Sequence, residues 1–102
     1  MRKIVNGLLY DTQTAEEIES VSYSNPTDFN HYEEALYKTK GGRYFLAGEG
    51  NARSKYGQSV DQNTWGPGSR IIPLEAAEAL EWCERHDVDP DIVTKEFKVE
   101  EA

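Results

Sequence analysis

The sequence predicts a small α+β domain, in which an antiparallel sheet carries one long and one short C-terminal helix on one face. Two observations lead to this prediction. Short apolar segments separated by turn residues fill residues 1–73, a pattern typical of hairpins and meanders. From residue 74 onwards the apolar residues instead recur every three or four positions, as in amphipathic helices. A chain of 102 residues has the length of one domain, so we expect residues 1–102 to share a single fold.

The clearest predicted hairpin lies in the middle of the chain. Two strand-like segments, Glu34–Thr39 and Arg43–Ala47, flank Lys40-Gly41-Gly42, and a Gly-Gly turn between apolar segments is a strong hairpin signal. The Asn-Gly pair at residues 6 and 7 predicts either a smaller hairpin or a strand with a bend. Alternating apolar and polar residues from Ile18 to Tyr23 predict a further strand.

Two segments have less regular patterns. Residues 48–69 show no sustained periodicity and are predicted to form a long loop, part of which is ordered. Within it, Ala52–Tyr56 followed by Gly57 is typical of one helical turn that ends at a left-handed glycine. Asp11-Thr12 offers an N-cap for a short helix over Thr14–Glu17.

Residues 74–98 are predicted to be helical. The first helix is expected over Leu74–His86, because its apolar residues fall within one narrow arc when they are stepped at about 100° per residue. These residues are Ala76, Ala79, Leu80 and Cys83. Asp89 followed by Pro90 is typical of an N-cap with proline in the first turn, which predicts a second, shorter helix. Residues 99–102 are expected to fray.

The negative charge is concentrated near the C-terminus. The chain has a net charge of −8, with nine acidic and eight basic residues in 1–74 but ten acidic and three basic residues in 75–102. No basic patch is visible, which argues against direct binding of nucleic acid. The asymmetry favours a protein partner with a basic surface. The alternative is that an acidic surface only keeps the protein in solution.

The candidate binding residues lie mainly on the first predicted helix. Its carboxylates fan over the side opposite the apolar arc and are placed to pair with Lys or Arg of a partner in place of phosphates. These residues are Glu75, Glu78, Glu81, Glu84 and Asp87. Trp82 falls at the margin of the apolar arc and is expected to make an exposed contact with an arginine-rich surface. Tyr56 and Trp65 of the long loop are secondary candidates, as interface anchors or as covers for the sheet edge.

No motif points to catalysis, a metal or a cofactor. Cys83 and His86 lie three residues apart on the predicted helix, but Cys83 is on the apolar side, where a free cysteine packs as a small hydrophobic residue. Three alternating aspartates from Asp87 are spaced like the start of a calcium loop. That loop requires glycine at its sixth position and glutamate at its twelfth, where this chain has Ile92 and Lys98. We therefore expect neither an enzyme nor a metalloprotein.

The cysteine content and the hydropathy bear on the cellular location. A lone cysteine excludes an internal disulfide and a zinc site built from cysteines. The N-terminus lacks the pattern of a signal peptide, and the apolar runs are too short to span a bilayer. We expect a cytoplasmic protein that does not bind membranes.

Several segments together resemble a group of small proteins from bacteriophages and mobile elements. They are Tyr10-Asp11-Thr12 with Thr14-Ala15, Glu34–Thr39, Gly42–Leu46, Gly48-Glu49-Gly50, Ser54-Lys55-Tyr56, Ile71–Leu74 and Glu78-Ala79 with Trp82. Small acidic proteins of this kind include anti-CRISPR inhibitors. The resemblance implies a non-enzymatic inhibitor that binds a CRISPR–Cas effector in the host bacterial cell, at a surface that normally holds nucleic acid. The alternative is an accessory protein that binds another host or phage protein through its hairpin and aromatic loop.

Overall fold

A computed structural model describes all 102 residues and contains eight strands and two helices. The strands are β1 (Arg2–Val5), β2 (Leu8–Asp11), β3 (Glu16–Tyr23), β4 (Tyr32–Lys38), β5 (Tyr44–Gly50), β6 (Gln58–Asp61), β7 (Thr64–Gly66) and β8 (Gly68–Leu74). The helices are α1 (Ala76–Arg85) and α2 (Pro90–Glu96). The predicted α+β class, with antiparallel strands and two C-terminal helices, is confirmed.

The main sheet has four antiparallel strands in the order β3-β4-β5-β8, and β1–β2 and β6–β7 form separate hairpins. The predicted hairpin between β4 and β5 is confirmed, and Gly42 in its turn has a φ of 88°, which glycine adopts without strain. The register of β3 on β4 shifts between Glu17 and Glu19, which marks a β-bulge in this edge strand.

Each face of the main sheet carries its own core. Because side chains alternate along a strand, Leu36 and its neighbour Leu46 face the helices, while Phe45 and Ala47 face the other way. The helix-side core consists of Leu36, Tyr44, Leu46, Ala79, Trp82, Cys83 and Val88. The opposite core lies beneath the β1–β2 hairpin and consists of Tyr10, Phe45, Ala47 and Ile71. The sheet is therefore the central layer of the molecule.

The structure corrects the predictions for the irregular segments. No helix forms over Thr14–Glu17, because the Asp11 carboxylate accepts a hydrogen bond from the Gln13 amide (2.9 Å) and closes a turn that leads directly into β3. Residues 48–69 are not mainly loop, since they contain the end of β5, the β6–β7 hairpin and the start of β8. Gly57 does not have a left-handed conformation. It is required there because a Cβ would lie 2.1 Å from the Ala52 carbonyl oxygen.

The helices begin and end close to the predicted positions. Leu74 belongs to β8, and α1 starts after Glu75, which forms a capping box with Glu78. The predicted cap of α2 is confirmed, because the Asp89 carboxylate accepts a hydrogen bond from the Asp91 amide at 2.9 Å and Pro90 occupies the first turn. Neither helix has the length and apolar character needed to cross a membrane.

The two-sided core leads to a stability prediction. Replacing Leu36, which is fully buried between the sheet and the helices, with alanine should lower the free energy of unfolding by about 2–5 kcal/mol. The matched control is Leu9→Ala on the exposed side of β2, which should change it by only about 0.5 kcal/mol. Urea unfolding followed by circular dichroism compares the two variants. Equal losses would contradict the assignment of Leu36 to the core.

Candidate functional site

The most concentrated cluster of ionisable and polar groups surrounds Glu34 of β4. Its side chain is 0 % exposed and accepts hydrogen bonds from the Trp82 indole nitrogen (2.8 Å), the Tyr56 hydroxyl (2.5 Å) and the Lys55 ammonium group (2.6 Å). The imidazole Nε2 of His86 lies 3.5 Å from the same carboxylate. This Glu34 cluster joins the sheet, the segment after β5 and the end of α1.

A glycine on β5 makes room for the cluster. The ring of Tyr56 lies against Gly48, where a Cβ atom would come within 2.1 Å of the tyrosine Cζ. Any other residue at this position would displace the tyrosine from Glu34. Arg70 and Lys55 lie over the same ring, at 5.3 and 5.5 Å from its centroid.

The charge state of the cluster follows from its contacts. Burial by itself would raise the pKa of Glu34, but the hydrogen bonds from Lys55, Tyr56 and Trp82 outweigh it and hold this pKa below its ordinary value. Burial and then the Glu34 carboxylate raise the pKa of Tyr56, which therefore stays protonated. Burial lowers the pKa of His86, although the nearby Glu34 carboxylate acts in the opposite direction. The imidazole is therefore neutral at pH 7.

The cluster has the character of a structural support. Glu34 is enclosed and holds three donors, so its carboxylate offers no position for a substrate. No buried side-chain nitrogen or oxygen atom is left without a hydrogen-bond partner. Burial also raises the pKa of Cys83, which packs in the helix-side core as predicted. No group of His, Cys, Asp and Glu side chains is arranged to hold a metal ion.

Two of the predicted partner contacts are wrong. Trp82 was expected at an exposed margin, but it is 0 % exposed because the sheet covers that side of α1 and its indole nitrogen bonds to Glu34. Tyr56, for which an interface anchor and a cover for the sheet edge are the two expectations, is 2 % exposed, so it is not an anchor. Its ring lies against Gly48 of the sheet and its hydroxyl donates to Glu34. The sequence carries no direct sign that Glu34 is buried in its strand. Sequence reasoning therefore does not identify Glu34 as the hydrogen-bond partner of Trp82 and Tyr56.

The predicted acidic face lies on the solvent side of α1. All five of its carboxylate residues are exposed: Glu75, Glu78, Glu81, Glu84 and Asp87. Two of them serve the helix itself, since the Glu75 amide donates to the Glu78 carboxylate at 2.8 Å and the Glu75 carboxylate caps the first turn in return. The other three side chains make no hydrogen bond or salt bridge within the protein. These three are free to pair with a partner.

A groove between α1 and α2 adjoins the free carboxylates. This inter-helix groove has a volume of about 230 Å³. It is lined by Leu80, Cys83, Glu84, Asp87, Val88, Pro90, Val93, Thr94 and Val99. Its walls are mainly apolar and its rim carries two of the acidic side chains. The sequence pattern did not reveal it, because its lining residues come together only in the folded chain.

The opposite face of the sheet holds a second acidic surface. Beside the β1–β2 hairpin lies an open hollow of about 530 Å³, whose lining includes Ala35, Ala47 and the carboxylates of Glu17, Glu33 and Glu49. Glu33 and Glu49 are directly opposed on neighbouring strands, where like charges repel. Acidic surface is therefore not confined to the C-terminal third of the chain.

The aromatic candidate of the long loop has a defined position. Trp65 lies on β7 and is 62 % exposed, and Val60 on the paired strand is also exposed. The β6–β7 hairpin thus presents a large apolar side chain to solvent, on an element separate from α1.

Comparison with known protein families, curated proteins and solved structures finds no match to this chain.

The Glu34 cluster leads to a prediction for stability at neutral pH. Glu34→Gln removes the charge that pairs with Lys55 and places an amide NH2 group where the Tyr56 or Trp82 donor needs an acceptor, which should cost about 1–3 kcal/mol of unfolding free energy. Glu33→Gln, one position along and exposed, is the matched control and should have little effect. Urea unfolding at pH 7 measures both, and similar midpoints would refute a supporting role for Glu34.

The same cluster predicts a pH dependence. The pKa of Glu34 is lower in the folded protein than in the unfolded chain, so the unfolded chain binds the proton first as the pH falls. The resulting stabilisation is complete above the ordinary glutamate pKa of 4.5 and is lost as the pH falls from there through the lower folded pKa. Unfolding free energies measured from pH 7 to 3 should therefore fall more steeply for the unsubstituted protein than for Glu34→Gln. Parallel curves would contradict the lowered pKa.

Proposed function

We propose that this chain is a non-enzymatic binding protein that docks the acidic face of α1 onto a basic, nucleic-acid-binding surface of a CRISPR–Cas effector complex. The observation that carries the proposal is that Glu81, Glu84 and Asp87 are exposed and have no partner within the protein. Ion pairs with Lys or Arg of a partner are the interaction that such side chains are placed to make.

The mechanism is electrostatic competition. CRISPR effectors hold the guide–target duplex in a positively charged channel and recognise its backbone rather than its sequence. Carboxylates on one rigid helix face occupy phosphate positions in such a channel and exclude the nucleic acid. The α1 helix suits this role because its other side is fixed in the core through Ala79, Trp82 and Cys83. A preordered face binds without the entropic cost of folding.

Two features support a binding role over a catalytic one. The buried pair Glu34 and Tyr56, whose pKa values are both shifted, lies where the carboxylate is enclosed. The accessible carboxylates of α1 are instead exposed to solvent, so water is not excluded from a reacting group there.

A second candidate function rests on the exposure of Trp65. A protein that binds another host or phage protein would use this side chain as an anchor, since exposed tryptophans are enriched among the residues that dominate interfaces. In that case the acidic face only maintains solubility, and Trp65→Ala weakens binding while substitutions on α1 do not.

Charge reversal on α1 separates the two functions. Glu81→Lys combined with Glu84→Lys should weaken binding to a purified effector complex at least tenfold, because two attractive ion pairs become repulsive. Glu78 is left unchanged because it completes the capping box. The matched control reverses two exposed carboxylates on the opposite face, Glu33→Lys with Glu49→Lys, and should retain binding. If only the control loses affinity, the interface lies on the face of the sheet opposite α1, and the proposal is contradicted.

Ionic strength provides a further measurement on the same complex. Affinity should fall as salt is raised from about 0.05 to 0.2 M, mainly through slower association, because exposed charges are screened over this range. Surface plasmon resonance separates the association rate from the dissociation rate. A binding constant that is indifferent to salt would exclude phosphate mimicry.

A further inference from the structure

Two apolar residues of the helical region have no role in the core. Leu80 of α1 is half-buried, and Val99 after α2 is 50 % exposed. Neither packs in the helix-side core or in the core beneath the β1–β2 hairpin. Both line the inter-helix groove. The groove therefore has apolar walls that folding does not require.

The floor of the groove is fixed in place. Cys83 and Val88 belong to the helix-side core, and they are linked by a 3.0 Å hydrogen bond from the Val88 amide to the Cys83 carbonyl. Together with the bond from the Asp87 amide to the Glu84 carbonyl, this closes α1 in a Schellman motif. The groove is consequently formed before any partner arrives.

Asp87 occupies an unusual position in this motif. Its φ is 51°, in the left-handed region, where helices most often place glycine. Any residue with a Cβ atom is less stable there than glycine. The aspartate instead places a carboxylate on the rim of the groove, next to Glu84. Neither side chain has a cationic partner within the protein.

We propose that the inter-helix groove takes one apolar side chain from a protein segment that carries Lys or Arg close to that residue. The apolar walls formed by Leu80 and Val99 receive the side chain, and Glu84 and Asp87 on the rim pair with the flanking cations. This inference rests on the proposed function and adds to it the chemistry of the segment that is recognised. Phosphate mimicry by itself uses only the carboxylates, whereas this inference adds an apolar contact in the groove.

The volume is sufficient for one large apolar side chain. About 230 Å³ accommodates one large aliphatic side chain, and burying such a group typically strengthens binding about tenfold or more. The flanking cations contribute a part that depends on salt, whereas the apolar part does not. The two parts are therefore separable by experiment.

Two synthetic peptides test the groove. The first is Lys-Arg-Ser-Leu-Ser-Arg-Lys and the second replaces the leucine with serine, so that both have the same charge. Titration followed by amide NMR shifts, up to millimolar peptide, should show the leucine peptide binding about tenfold more tightly. Its largest shifts should fall at Leu80, Val88 and Val93, around the groove. Equal affinities of the two peptides would refute the groove as a binding site, and so would the absence of binding by both peptides.

Three variants assign the effect to particular residues. Leu80→Ser should remove the advantage of the leucine peptide with little loss of stability, since Leu80 lies outside both cores. Leu9→Ser, an exposed leucine on β2, is the matched control and should leave it intact. Asp87→Gly should weaken both peptides about equally while leaving the protein at least as stable, because glycine suits the left-handed position. An unchanged preference in Leu80→Ser would contradict the proposal.

Failure of the groove and failure of the proposed function give different results. If the two peptides bind equally and only at low salt, the acidic face stands and the groove does not. If the leucine peptide is preferred but reversal of Glu81 and Glu84 leaves the effector complex bound, the groove stands and the effector complex is bound through another surface.

Discussion

The buried carboxylate of Glu34 is the interaction on which the arrangement of this protein depends. It joins the middle of the sheet to α1 through Trp82 and to the segment after β5 through Tyr56 and Lys55. A buried charge is tolerated only when its partners are in place, and here all three come from outside its own strand. The position of α1 is therefore set by one polar contact as well as by apolar packing. The same contact fixes the positions of the exposed carboxylates on the outer face of the helix.

The surface of α1 divides into parts with different roles. Its inner side closes the core, and its first turn is stabilised by the capping box of Glu75 and Glu78. Its C-terminal half and the residues just after it present Glu81, Glu84 and Asp87 together with the inter-helix groove. The charge at the C-terminus is thus partly structural and partly available. Counting acidic residues overestimates the available part, because capping and pairing occupy some of them.

The sequence predicted well where one local signal decides the structure. The Gly41-Gly42 turn and the Asp89-Pro90 cap formed as expected because each acts within a few residues. Prediction was wrong where a distant residue decides. Trp82 and Tyr56 looked available for a partner, and only the fold shows that they share Glu34. The β6–β7 hairpin was missed because its turn residues, Gln62 and Asn63, include neither glycine nor proline.

The bulge in β3 bears on how the protein behaves when it is concentrated. An edge strand offers free backbone groups to a second sheet, which is a common route to aggregation. Here the shift between Glu17 and Glu19 interrupts the regular spacing of those groups, and the glutamates themselves repel an identical strand. At the other edge, Pro73 removes a donor from β8. Both open edges of the sheet are thus poor templates for a second copy of the chain. Exposed apolar side chains such as Trp65 can therefore bring two molecules into contact without pairing of their sheet edges.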